Sequence, residues 1–199
     1  MSDDKRAQMK RIAEALENLE DSPLYEFRQQ KNYSYVLGEG DLNAKIMFIG
    51  EAPGAQEAKS GRPFVGTAGK VLDELLNSIG LNRKDVYITN IVKDRPPENR
   101  DPNPDEIELY APFLVEQIDI IQPQVIATLG RFAMDFILAR FDATELGEKI
   151  GALHGKVLKG KTPYGEVTIV PLYHPAAAFY NQSLEDILRS DIQVLKKFI

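Results

Sequence analysis

Residues 46–54 read Ile46-Met47-Phe48-Ile49-Gly50-Glu51-Ala52-Pro53-Gly54, four apolar residues running straight into a turn framed by glycines. An apolar run of that length without polar alternation fits a strand covered on both faces, and the Gly and Pro residues end it. Three more runs repeat the pattern: Val86-Tyr87-Ile88-Thr89, Val125-Ile126-Ala127-Thr128-Leu129 and Val167-Thr168-Ile169-Val170-Pro171-Leu172. Helical patterns lie between them. Val71, Leu72, Leu75, Leu76 and Ile79 form one apolar stripe, with Thr67 as the expected cap and Gly80 as the stop. Asn103-Pro104-Asp105-Glu106 is a stronger start: a cap residue, proline at the first helical position, then acids facing the helix dipole. That helix turns Ile107, Ala111, Leu114, Ile118 and Ile121 inward. Helices are also expected over residues 131–139 and about 184–198, and an N-terminal helical arm over about 3–20 carries Ile12, Leu16 and Leu19. Buried strands alternating with amphipathic helices predict a three-layer α/β/α sandwich around a central four-stranded parallel sheet.

Composition supports one such domain over 1–199. The chain is 43% hydrophobic and 27% charged, a globular mix rather than a disordered one. Its net charge of −6 excludes bulk attraction to nucleic acid or to an anionic membrane, so a phosphate-bearing partner needs a local basic patch. No apolar run approaches a bilayer span, and the start of the chain, SDDKRAQMKR after Met1, lacks the apolar stretch of a signal peptide. A cytoplasmic monomer without membrane contact is the expectation. There is no cysteine, which excludes disulfides, iron–sulfur clusters and thiolate zinc sites; with two histidines, a three-histidine metal site is excluded as well. Neither metal nor cofactor is expected.

Open parallel sheets bind ligands beyond the carboxyl ends of their strands. Those ends here carry Gly50-Glu51, Asn90, Gly130-Arg131 and His174-Pro175. Each has an ordinary reading: a solvated loop carboxylate at Glu51, a loop-satisfying amide at Asn90, a core plug at Phe64, a packed turn at His174. Each also has a sharper one. Phe64, between Gly61 and Gly66, suits a platform for a planar base. The Asn90 amide offers a donor beside an acceptor, which matches the O4 and N3–H edge of uracil and mismatches cytosine. Between residues 59 and 100 basic residues outnumber acidic ones by three, and Arg62, Lys93, Arg95 and Arg100 fall in the site loops, where phosphate contacts would be useful.

Taken together, GEAPG (50–54), GRPFVGTAG (61–69), VYITNIVKDRPPENRDPNPDE (86–106), TLGRFA (128–133) and HPAAAF (174–179) resemble, in order and spacing, the family-4 uracil-DNA glycosylases over roughly residues 37–180. The resemblance implies the superfamily's fold and removal of uracil from DNA. It implies that Gly50 and Glu51 line the base pocket, that Phe64 stacks on uracil and that Asn90 reads its polar edge. His174 would donate to uracil O2 as negative charge develops there. Phe179 or Tyr180 would be a wedge near the minor groove. Family-1 enzymes carry an Asp where Ala52 stands, so leaving-group stabilisation is expected to dominate, with Glu51 orienting water.

The chain departs from that family at one place. Its members hold a four-iron, four-sulfur cluster on cysteines that match Leu19, Ser22, Asp94 and Tyr110, none of which can bind iron as a thiolate does. Packing by Leu16, Leu19, Tyr25, Tyr110 and Phe113 is expected in its place. The insertion of relatives that trap DNA covalently is absent too, so turnover is expected. Two rivals stand beside this reading. One is a module on the same fold that binds uracil or single-stranded DNA without cutting. The other is a nucleotide hydrolase, for which neither Gly38-Glu39-Gly40 nor GEAPG supplies a proper phosphate loop.

Overall fold

The computed structural model describes residues 2–179 and 181–199. Its centre is a six-stranded sheet made of β1 (Glu39–Gly40), β2 (Ile46–Gly50), β3 (Tyr87–Asn90), β4 (Val125–Leu129), β5 (Leu158–Thr162) and β6 (Gly165–Leu172), in the order β1-β3-β2-β4-β6-β5. The inner four, β3-β2-β4-β6, are parallel, with Gly50 opposite Asn90 and Thr128 opposite Pro171. This is the expected parallel core. Two short antiparallel edges, β1 on β3 and β5 on β6, extend it. Neither edge carries a continuous apolar run, which is why hydrophobicity alone does not reveal them.

Period-two alternation sorts the strand residues onto two faces. Met47, Ile49, Tyr87 and Ile126 pack under α1 (Ser2–Glu17), α5 (Pro104–Ile121) and α6 (Arg131–Arg140). Ile46, Phe48, Ile88 and Ala127 pack under α4 (Thr67–Ser78) and α8 (Gln182–Asp191). Helices cover both faces, as a buried parallel sheet requires. Three short helices complete the chain: α2 (Tyr25–Gln30), α3 (Ala55–Ser60) and α7 (Ile150–Leu153). The last expected helix divides, with α8 passing into a 3₁₀ segment over Ile192–Phe198.

The Asn103 start holds as a reciprocal capping box with Glu106, with Pro104 in the first turn. Thr67 does not cap α4. Gly66 takes the cap position and the Glu57 carboxylate, from α3, accepts the Val65 and Gly66 N–H groups at 2.9 and 2.8 Å. A carboxylate from another helix therefore does what a local hydroxyl was expected to do.

Of the four positions where the resemblance places cysteine, Leu19 packs as expected, while Ser22, Asp94 and Tyr110 add something packing alone does not supply. Leu16 and Tyr110 are buried, and Leu19 and Phe113 pack against that core, so apolar burial contributes. A polar seam lies inside it. The Tyr110 hydroxyl sits 2.7 Å from Ser22 Oγ and donates to Asp94 Oδ2 at 2.5 Å. Arg28 completes the seam with a buried ion pair to Asp94 at 3.1 Å. The same guanidinium donates to Leu16 O and Glu17 O, and lies 4.9 Å from the Tyr25 ring centroid. The seam joins the N-terminal arm to the loop after β3 and to α5. Its donors and acceptors are spent on one another, and the set contains no thiolate, so these residues do not fit an iron–sulfur cluster.

Candidate functional site

The order of the sheet reverses between β2 and β4: β3 lies on one side of β2, and the chain then returns to lay β4 on the other. Beyond the strand ends at this reversal is a cleft of about 400 Å³, lined by Glu51, Ala52, Gly54, Glu57, Phe64, Ala68, Asn90, Asn99, His174 and Ala176. Volumes of this order hold small-molecule ligands. Four of the expected site residues, Glu51, Phe64, Asn90 and His174, thus share one wall set. Gly50 lies beneath Asn90 and Phe64, since a Cβ there would lie 2.4 Å from Asn90 Oδ1 and 2.6 Å from Phe64 Cζ. Only a residue without a side chain lets the ring and the amide approach so closely.

Phe64 is held in a left-handed backbone conformation at φ 51°, which is costly for a bulky residue. Three contacts hold it there. Arg83 donates to Pro63 O and to Phe64 O at 3.0 Å, Glu57 binds the next two N–H groups, and Gly69 admits the Phe64 carbonyl where any Cβ would collide. Glu57 and Arg83 escape sequence reasoning because their partners are backbone groups distant in the chain. Gly69 leaves a trace, since glycine within the first turns of a helix otherwise only weakens it.

Asn90 is on the α4 side of β3 and is buried, yet its Oδ1 has no hydrogen-bond partner. A buried acceptor without a partner, on a residue that lines a cleft, calls for a partner from outside the described residues. His174 sits on the opposite strand end, its ring centroid 5.8 Å from that of Phe64. The Ala176 N–H donates to His174 Nδ1 at 3.2 Å, so the ring proton resides on Nε2. Burial pushes the His174 pKa down to about 4, with Glu57 pulling weakly the other way, so the ring is neutral at neutral pH. Glu51 behaves oppositely. Burial first, and then the Asp101 charge, raise its pKa to about 7, and Arg131 opposes both. Arg131 itself pairs with Asp101 at 3.1 Å on the exposed rim.

The basic residues require correction. Lys93 is fully buried, bonded to Thr89, Asn90 and Gln117, and cannot meet a phosphate. Its place between β3 and α5 removes it from the surface. The arginines all have partners: Arg62 pairs with Glu39, Arg100 with Glu106, and Arg95 donates to Tyr33 and Asn99. Arg62 remains largely exposed, and Arg100 is exposed as well. Phe179 is 46% exposed at the end of the 3₁₀ turn Pro175–Phe179 that follows His174. Tyr180 lies outside the described residues. Among the described residues no cluster of His, Asp and Glu has the makings of a metal site. No helix is long and apolar enough to cross a membrane.

A reversal-point cleft walled by an aromatic ring, a carboxamide and an imidazole defines an α/β protein with a ligand-sized site at its sheet's switch point. Comparison with known proteins makes the class particular. The family described as the Uracil DNA glycosylase superfamily matches residues 37–196, and the chain belongs to it. It is 48% identical over 160 residues to a type-4 uracil-DNA glycosylase of Archaeoglobus fulgidus, covering 80% of this chain and 79% of that one. It is 44% identical over 190 residues to the type-4 uracil-DNA glycosylase of Sulfurisphaera tokodaii (95% and 84%). A type-5 uracil-DNA glycosylase of Thermus thermophilus is 36% identical over 121 residues (53% and 55%).

Proposed function

We propose that this chain is a uracil-DNA glycosylase of base-excision repair, hydrolysing the bond between uracil and deoxyribose and leaving an abasic site. The observation that carries this reading is Asn90, whose Oδ1 has no hydrogen-bond partner among the described residues, in the wall of a cleft that Phe64 and a neutral His174 also line. Uracil-containing DNA is the substrate. The target nucleotide leaves the base stack to reach the cleft, at a cost of a few kcal/mol that is least for mismatched or single-stranded uracil. Phe64 supports the face of the ring, while Asn90 accepts from N3–H and donates to O4. Cytosine presents the reverse pattern and leaves both amide groups unpaired.

As the C1′–N1 bond breaks, its electron pair moves onto the uracil ring and reaches O2. His174 donates from Nε2 to that oxygen. A neutral donor suits this task, because it supplies a directed hydrogen bond at the point where charge develops. The sugar, now oxocarbenium-like, takes hydroxide from a water whose proton passes to a base. Glu51, with a pKa near 7, is suited to orient that water and receive its proton. Phe179 is the wedge candidate, and exposed Arg62 exchanges its carboxylate partner for a phosphate when DNA docks, while Arg100, held bidentately by buried Glu106, reaches a phosphate only through donors left over from that pair. The acceptance of phosphate in place of a paired acid makes binding strongly salt-dependent.

Strand cleavage after alkali treatment of a uracil-bearing oligonucleotide tests the reading. Cleavage is expected with the natural protein and should fall by at least about a hundredfold in His174→Ala and Asn90→Ala, the scale of losing one donor to a developing anion. Binding of uracil-bearing DNA without cleavage by the natural protein would establish a non-catalytic reader instead.

A further inference from the structure

We infer that Lys93 is a positioning residue for uracil recognition, holding the backbone from which the Asn90 carboxamide projects. This rests on the reading of Asn90 given above. The Lys93 side chain runs beneath the end of β3, where Nζ donates to Thr89 Oγ1 at 2.7 Å, to Asn90 O at 2.7 Å and to Gln117 Oε1 at 2.6 Å. It is fully buried and forms no ion pair among the described residues. Burying a lysine without a carboxylate is expensive, and burial holds its pKa well below the usual lysine range. Three short hydrogen bonds offset that cost. A methionine would fill the same space without it.

The location explains what the expense serves. Alternation along β3 puts Asn90 on the cleft side of the sheet and Thr89 on the α5 side, beside Gln117. Gln117 is anchored in turn by donating to Leu37 O at 2.9 Å and to the Tyr87 hydroxyl at 3.2 Å. Nothing among the described residues bonds the Asn90 carboxamide oxygen, so its aim depends on the Asn90 backbone. On the strand side, Gly50 O accepts the Ile91 N–H and fixes the chain just after Asn90. The Asn90 carbonyl is fixed by Lys93, which ties the end of β3 to α5 on the face away from the cleft. A ligand-reading amide that is free at its tip is thus rigid at its root, which is what preorganisation requires.

The test is a double-mutant cycle on the single-turnover excision rate, using a DNA strand with one deoxyuridine. Lys93→Met should slow excision by about tenfold to a hundredfold, the scale of a misplacement of about 1 Å. In an Asn90→Ala background the same change should cost less than about twofold, because the group being aimed is already gone. Thr89→Val, isosteric and lacking one of the three acceptors, should give a smaller loss that likewise vanishes with Asn90→Ala; it carries the test should Lys93→Met fail to fold. An equal loss in both backgrounds, or no loss from a folded Lys93→Met, overturns the inference while leaving Asn90 as the uracil reader. An Asn90→Ala variant as fast as the natural protein overturns the reading of Asn90 itself.

Discussion

Replacing Tyr110 by Phe removes one oxygen from the seam beneath the N-terminal arm and leaves the ring in place. That oxygen makes two buried hydrogen bonds, at 2.7 Å to Ser22 and 2.5 Å to Asp94. A bond to a neutral hydroxyl contributes about 0.5–1.5 kcal/mol and one to a charged acceptor about 1.5–3 kcal/mol, so the loss should be about 2–4.5 kcal/mol. No cavity opens, and Arg28 keeps its ion pair with Asp94. For a chain of this size each kcal/mol lowers the midpoint by about 2–4 °C, giving a fall of about 4–18 °C in thermal unfolding. Tyr110→Ala should cost more, since truncating a buried aromatic ring adds about 3–5 kcal/mol. Urea unfolding of the three proteins at neutral pH separates the contributions. Uracil excision at low temperature should be unchanged in Tyr110→Phe, because the seam packs on the opposite face of the sheet from Phe64. If Tyr110→Phe matches the natural protein within about 0.5 kcal/mol while Tyr110→Ala collapses, the hydroxyl contributes nothing and packing alone holds the arm.

The cleft yields further expectations. Gly50→Ala introduces a Cβ that overlaps Asn90 Oδ1 and the Phe64 ring, so excision should fall by at least about a hundredfold with little change in far-ultraviolet circular dichroism. The rate should rise with pH through the Glu51 titration near 7, because the ionised form is the one that accepts a proton. Asp101→Asn removes the charge that raises Glu51 and frees Arg131 to lower it, so the acid limb of the pH–rate profile should move to lower pH; a limb that stays in place or moves upward argues against Glu51 as the titrating group. Arg83→Met should loosen Phe64 by removing the donors to Pro63 O and Phe64 O, seen as a larger rise in KM than fall in kcat. Stability carries its own pH signature. The raised Glu51 pKa favours the folded state below about 4.5 and this is lost as pH climbs through about 7, whereas the depressed His174 pKa weakens the fold as pH falls from about 6.5 through 4.

The parallel core and the convergence of Glu51, Phe64, Asn90 and His174 are legible in the sequence for one reason. Continuous apolar strands mark their own carboxyl ends, and in this architecture the ends are where ligands bind. What escapes is what depends on distant partners. β1 is two residues long and β5 reads Leu-Lys-Gly-Lys-Thr, so neither looks like a buried strand. Lys93, a cation in a loop motif, looks like a phosphate contact until α5 covers it with Gln117. Ser22, Asp94 and Tyr110 look like losses when taken singly. Their hydrogen bonds to one another span up to 88 residues of chain and appear only once the fold is closed.

A joint made of hydroxyls, a carboxylate and a guanidinium closes with atoms the polypeptide already owns. No sulfur ligand takes part in it. With no thiol in these 199 residues, four methionines are the remaining sulfur for an oxidant to attack. The seam that docks the arm therefore holds no thiol to oxidise, while Met9, on the buried side of that arm, places a thioether in the same core.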